Sequence, residues 1–276
     1  MRIRVVDAFT EKPFQGAPAG VLLLDEFPPD AWMQRVAAEV NHAETAFLHP
    51  LPAGGDADWA LRWFTPAVEV DLCGHATLAS AHVLATLTPA PELDPARAVR
   101  FATRSGVLTA SVTADGLITL SFPTAPLTPV DADPELGAAL GPDVPIVAVH
   151  HTGPNTDDLL VEVADEKTVR AVSPDLRALA ALSRRGVIVT AAAGDGSTGY
   201  DFVSRFFGPA VGVDEDPVTG SAHTALAPYW AGKLGRDELV GYQASARGGF
   251  VRVRLRGERT ELSGHAVTVI DGTLHA

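Results

Sequence analysis

Cysteine is almost absent. Cys73 is the only one in 276 residues, so no internal disulfide can form, and the chain fits a reducing compartment. Lysine is nearly as scarce, limited to Lys12, Lys167 and Lys233. No apolar run approaches the roughly 20 residues that a bilayer-crossing helix needs, so no membrane partner is expected. There is no His-Glu-x-x-His, no Cys-x-x-Cys pair and no cluster of closely spaced carboxylates, so no metal is expected. His150 and His151 are adjacent and would point to opposite faces of a strand. The chain also lacks a phosphate-binding loop, a Gly-x-Gly-x-x-Gly after a strand and a Gly-x-Ser-x-Gly elbow. These absences turn the reading away from ATP, NAD and α/β-hydrolase chemistry. Net charge is −13, with the acidic residues scattered, which repels phosphate backbones and disfavours nucleic acid. Met1 to Val6 runs straight into a strand-like pattern with no secretory signal, so the expected compartment is the cytoplasm.

What is present is a repeat. Arg62-Trp63-Phe64-Thr65-Pro66 recurs as Arg205-Phe206-Phe207-Gly208-Pro209, an offset of 143. Gly74 and Gly220, each opening an Ala- and Leu-rich stretch, are 146 apart. Val5-Val6-Asp7-Ala8-Phe9 and the later Gly16-Ala17-Pro18 are matched by Val147-Ala148-Val149-His150-His151 and Gly153-Pro154-Asn155. Ordered matches at nearly one offset point to two halves of one design. The Pro-rich segment Pro123–Pro129 reads as the linker, giving lobes 1–125 and 126–276, with the C-terminal strand able to cross back to the first.

Within the halves, Leu117–Phe122, Gly186–Thr190 and Val251–Leu255 read as strands. A helix is expected from Pro28-Pro29-Asp30 to about Asn41, with Asp30 as N-cap. Gly74–Leu87 and Gly220–Leu234 read as largely apolar central helices, the second kinked or delayed by Pro228. Helix N-termini present unpaired N–H groups that bind anions. Two such ends facing one another would hold a small carboxylate.

Four polar side chains stand near these points. Glu44, in Asn41-His42-Ala43-Glu44-Thr45-Ala46-Phe47, lies between a helix end and an apolar strand, where burial would raise its pKa and suit it to proton transfer. His75 could donate to a substrate oxygen. Asp216 and Ser221 hold the matching segment of the second half, Asp216 being either a site residue or a helix cap. Cys73 reads as a small buried hydrophobe, and His82 as a packed core histidine.

Taken together, Val6–Phe9, Asn41–Phe47, Arg62–Pro66, Gly74-His75, His151–Pro154 and Gly212–Ala222 resemble the phenazine-biosynthesis (PhzF-like) isomerase family. The resemblance implies an α+β fold of the diaminopimelate-epimerase-like kind. Its two pseudo-symmetric lobes would each be a curved mixed β-sheet wrapped around a central α-helix. It implies a homodimer without cofactor or metal that acts on a small anionic metabolite. Carried over by position, Glu44, His75 and Asp216 are catalytic, while Gly74, Gly220 and Ser221 bind substrate. The sequence departs from the family pattern at Ala17, Ala43 and Gln243-Ala244. A racemase of the same fold would need two opposed thiols, and the chain has only one cysteine. The remaining rival is a non-catalytic metabolite- or partner-binding protein.

Overall fold

The computed structural model describes residues 1–87, 98–141, 144–194 and 199–276. The chain forms two compact units, Met1–Ser121 with Ser263–Ala276, and Phe122–Leu262. Set against a cut after residue 125, the boundary lies slightly earlier and the C-terminal strand returns to the first unit.

The first unit contains β1 (Arg2–Ala8), β2 (Ala17–Leu23), α1 (Asp30–Val40), β3 (Glu44–Pro50), β4 (Trp59–Phe64), β5 (Glu69–Val70), α2 (Gly74–Ala85), β6 (Val99–Thr103) and β7 (Gly106–Val112). β8 (Ile118–Pro123) leads out of it. The second unit contains β9 (Thr128–Val130), α3 (Pro134–Leu140), β10 (Ile146–His151), β11 (Asp158–Val163), α4 (Glu166–Ala171) and α5 (Leu176–Leu182). It continues with β12 (Gly186–Ala192), β13 (Phe202–Gly208), β14 (Val213–Asp216), α6 (Gly220–Leu234), β15 (Glu238–Gln243), β16 (Gly249–Arg256) and β17 (Arg259–Gly264). β18 (Ala266–Thr273) closes the first unit.

The two units share one wiring. β1 pairs antiparallel with β2, and β10 with β11. β2 then pairs parallel with β3, and β11 with β12. β4 lies antiparallel to β3 and parallel to β6, as β13 does to β12 and β15. The parallel pairs need crossover connections, which contain α1 and α2 in the first unit and α4, α5 and α6 in the second. Each leading strand also has a second neighbour: β18, from the far end of the chain, runs along the whole of β1, and β9, from the same unit, along the last three residues of β10. That pairing is why the C-terminal strand belongs to the first unit.

The sequence repeat becomes a repeated contact. Arg62 makes a two-bond fork to Glu69 of β5, both bonds 2.6 Å, with its guanidinium 5.2 Å from the Phe64 ring centre. Arg205 forks to Glu215 of β14 at 2.7 and 2.9 Å and lies 4.7 Å from the Phe207 ring centre. A planar guanidinium satisfies carboxylate and ring at once, which lysine cannot do. Arg62 also explains a departure from expectation. Asp30 is not the N-cap of α1; that position is Pro29, with no side-chain cap bond, and Asp30 instead accepts from Arg62 at 2.8 Å.

Both central helices are buried on most of their circumference, as their lack of a polar face requires. α2 touches β1, β2, β3, β7 and β18, and nine of its twelve residues are buried. Its hydroxyls do not strand polar atoms: Thr77 donates to the Cys73 carbonyl at 2.6 Å, and Ser80 to that of Ala76 at 2.7 Å. His82 is part-buried and meets Thr268 Oγ1 at 3.0 Å. α6 starts at Gly220 and continues through Pro228, so its start is not delayed. The Thr224 carbonyl, four residues before that proline and deprived of its helical donor, accepts from Ala125 N at 3.2 Å instead.

Gly16 makes the β1–β2 turn possible. Its φ is +67°, and an added Cβ would stand 2.0 Å from the Ala8 carbonyl oxygen. Both the left-handed backbone and the contact exclude a side chain. Gly16→Ala is therefore expected to lower unfolding free energy by more than about 2 kcal/mol, measured by urea denaturation. A loss below 0.5 kcal/mol, the ordinary surface range, would contradict the role given to this turn.

Candidate functional site

Helix α1 ends at Asn41, whose φ of +54° and ψ of +35° place it in the left-handed region, with its N–H bonded to the Ala37 carbonyl. Asparagine tolerates that conformation better than most residues. The reversal delivers Glu44 as the first residue of β3, paired in register with Ala19 of β2. The turn after β5 brings Cys73 to the N-cap of α2, followed by Gly74 and His75. Glu44, Cys73 and His75 thereby converge in the first unit, and their ligand atoms all lie within 4.8 Å of one another.

His75 Nε2 stands 3.0 Å from Glu44 Oε2. That oxygen is buried and has no hydrogen-bond partner beyond this ionic contact. Cys73 Sγ lies 3.6 Å from His75 Nδ1. Burial alone would push the Glu44 carboxyl up, but the His75 charge and hydrogen bond, with help from Cys73, outweigh it and hold Glu44 below its ordinary value. This corrects the expectation of a raised Glu44. Burial likewise opposes the His75 imidazolium, yet Cys73 and Glu44 beside it raise His75 well above its usual value. The Cys73 thiol is pushed up to about 11, by burial first and then by the Glu44 charge. These directions favour a carboxylate on Glu44, a proton on His75 and a protonated thiol on Cys73. Cys73 is buried as expected, but it is no bland hydrophobe, since it touches the imidazole.

Such a trio could in principle ligate a metal, because each residue offers one donor atom. A metal would need a neutral imidazole and a thiolate. A metal entering this trio would therefore have to displace the protons on His75 and Cys73.

The other residues singled out in the sequence lie in the second unit. Gly220 begins α6 and Ser221 follows it. Asp216 ends β14 and is not the helix cap; its Oδ2 accepts from the Thr219 hydroxyl at 2.6 Å. Gln243 holds this segment, accepting from Thr219 N and donating to the Asp216 carbonyl, both at 2.8 Å. Ser221 Oγ accepts from Arg185 Nη2 at 2.6 Å.

The sequence model of the phenazine biosynthesis-like protein family matches residues 6–272. The chain belongs to that family. Among PhzF-like relatives, uncharacterized isomerases of Pseudomonas aeruginosa and Halalkalibacterium halodurans are 50% and 46% identical to it over 271 and 273 residues. Those alignments cover 98% and 99% of this chain and 97% of each relative. A crystal structure of a PhzF-family protein from Enterococcus faecalis matches with a TM-score of 0.90 at 39% identity, over 100% of this chain and 99% of that one. The fold is the mixed α+β, epimerase-like one, and the chain is a PhzF-like isomerase. No helix among the described residues is long and apolar enough to cross a membrane.

Cys73 as a contact of His75, Gln243 as a brace and Arg185 as a partner of Ser221 escaped the sequence reading. For Cys73 the signal was its place two residues before His75. Arg185 had only its place just ahead of the apolar strand β12.

The two raised and lowered groups act on stability in opposite pH windows. The His75 contribution is complete below its unfolded pKa, about 6.5, and is lost as pH rises through its raised folded value. The Glu44 contribution is present above its unfolded pKa, about 4.3, and is lost as pH falls through its depressed one. His75 is therefore expected to stay protonated at pH 8 in long-range ¹H–¹⁵N imidazole spectra and to titrate at lower pH in Glu44→Gln. A His75 that titrates near 6.5 in the wild type would remove the ion pair.

Proposed function

We propose that the chain is a cofactor-independent isomerase that moves a proton on a small carboxylate-bearing metabolite, with Glu44 as the acid/base. The observation that carries this reading is the 3.0 Å pairing of the Glu44 carboxylate with the buried His75 imidazolium. A carboxylate in its basic form can break a C–H bond by taking the proton, while the bond's electron pair moves into the neighbouring unsaturated system. The same carboxyl then returns the proton to another carbon of that system. One residue serves both steps, so no second thiol is needed.

The depressed pKa of Glu44 has a use in this scheme. A resting Glu44 bound to an imidazolium is a weak base. An anionic substrate that takes over the imidazolium's hydrogen bond and charge frees Glu44 from the partner that depresses it, and burial then raises its basicity. His75 is the electrophilic donor in this reading, steadying negative charge as it develops. Gly74, Gly220 and Ser221 are assigned to the substrate's carboxylate, each at a helix start where N–H groups are unpaired. Asp216 is assigned to the proton path or to the substrate's polar groups.

The test is solvent-deuterium incorporation into a panel of small unsaturated carboxylates, followed by ¹H NMR with enzyme dialysed against a chelator and no cofactor added. The wild type is expected to exchange at least one member. Glu44→Gln is expected to lose about 10²-fold or more, the lower range of general acid/base catalysis, with its melting transition retained. Cys73→Ala should stay within about tenfold of wild type, since the thiol is only a neighbour of the proton-transfer pair. Exchange that survives Glu44→Gln and stops in Cys73→Ala puts the thiol at the centre instead.

A further inference from the structure

The shared wiring makes positions in the two units comparable, and one comparison is informative. In the first unit the residue opening the third strand, Glu44, reaches the second residue of the central helix, His75. In the second unit the third strand is β12, opening at Gly186, and the residue just before it is Arg185. Arg185 reaches the second residue of its central helix, Ser221, at 2.6 Å. Where one unit sets a carboxylate on an imidazolium, the other sets a guanidinium on a hydroxyl.

Arg185 is held for this contact. Its Nε lies 3.3 Å from Oδ1 of Asp158, whose side chain is fully buried, and its Nη1 donates to the Thr156 carbonyl at 3.2 Å. The guanidinium sits 5.2 Å from the Phe206 ring centre. That stacking depends on Gly186, where a Cβ would come within 2.3 Å of the ring. Asp158 opens β11 and pairs with Gly186 across the parallel ladder. Among the described residues neither carboxylate oxygen has another side-chain partner, and burial pushes the Asp158 carboxyl up to about 7 against the opposing charge of Arg185.

Guanidinium has donors and no acceptor. With Nη2–H bonded to Ser221 Oγ, the serine hydrogen cannot point back at Arg185 and must be donated elsewhere. We infer that Arg185, anchored by Asp158, is a positioning residue that turns the Ser221 hydroxyl into an obligate donor toward the substrate's carboxylate at the start of α6. The inference rests on the assignment of Ser221 to that carboxylate.

A double-mutant cycle with benzoate as the probe anion tests this, its binding followed through the amide resonances of Gly220 and Ser221. Arg185→Gln is expected to weaken benzoate about tenfold, and Ser221→Ala by a similar factor. Because Arg185 acts through Ser221, Arg185→Gln on the Ser221→Ala background should cost less than about twofold further. Equal costs in both backgrounds would mean that Arg185 acts by bulk charge alone and would overturn the positioning role. If Arg185→Gln fails to fold, Arg185→Lys carries the test. It keeps the charge but lacks the fork that spans Asp158 and Ser221, and it should show the same loss and the same coupling. Unchanged affinity in Arg185→Lys would overturn the inference too. Absence of any benzoate response at Gly220 and Ser221 in the wild type would overturn it together with the carboxylate assignment. The Glu44 assignment is judged separately, by deuterium exchange.

Discussion

A carboxylate and an imidazole are taken out of water together where Glu44 meets His75, and much of the first unit is arranged to make that tolerable. Each charge alone would cost several kcal/mol to bury. Together they offset that cost, Cys73 contributing beside both, and the pKa of Glu44 falls while that of His75 rises. The pair requires that the start of β3 and the start of α2 stay in fixed register. The left-handed Asn41 sets the first, and a helix packed against strands on several sides sets the second. The hydroxyls of Thr77 and Ser80 return to the helix's own carbonyls, so the buried helix brings in no unsatisfied donors of its own.

The second unit shows the same scaffold used for another charge. Its Arg–Glu fork over a phenylalanine repeats that of the first, so the structural element of the ancestral unit is retained on both sides. What differs is the residue opening the third strand, Glu44 in the first unit and Gly186 in the second, and the residue after the helix-opening glycine, His75 in the first and Ser221 in the second. Gln243, which departs from the family pattern only in its neighbour Ala244, ties Thr219 and Asp216 to β15 and keeps that helix start in place.

The covering of β1 by β18 and of β10 by β9 has a packing reason. Leading strands β1 and β10 would otherwise present open edges, and an open edge is a template for unwanted pairing. The first unit takes its covering strand β18 from beyond the second unit's sequence, so the lobe boundary drawn from the Pro-rich segment could not be complete.

Read alone, the sequence determined the two-part design, the central helices, the extents of most strands considered and, through its short motifs, the family. These are local matters of periodicity, small residues and short motifs, and local order preserves them. It did not determine the sign of the Glu44 pKa shift, the contact of Cys73 with His75, the use of Asp30 as a partner of Arg62, or the Asp158–Arg185–Ser221 chain. Those depend on which groups far apart in sequence come within about 4 Å, because charge–charge and hydrogen-bond energies fall steeply with distance and rise with burial. A lone glutamate at a helix-to-strand junction predicts burial and hence a raised pKa. Only the tertiary structure, by placing an imidazolium 3.0 Å away, decided that pairing outweighs desolvation.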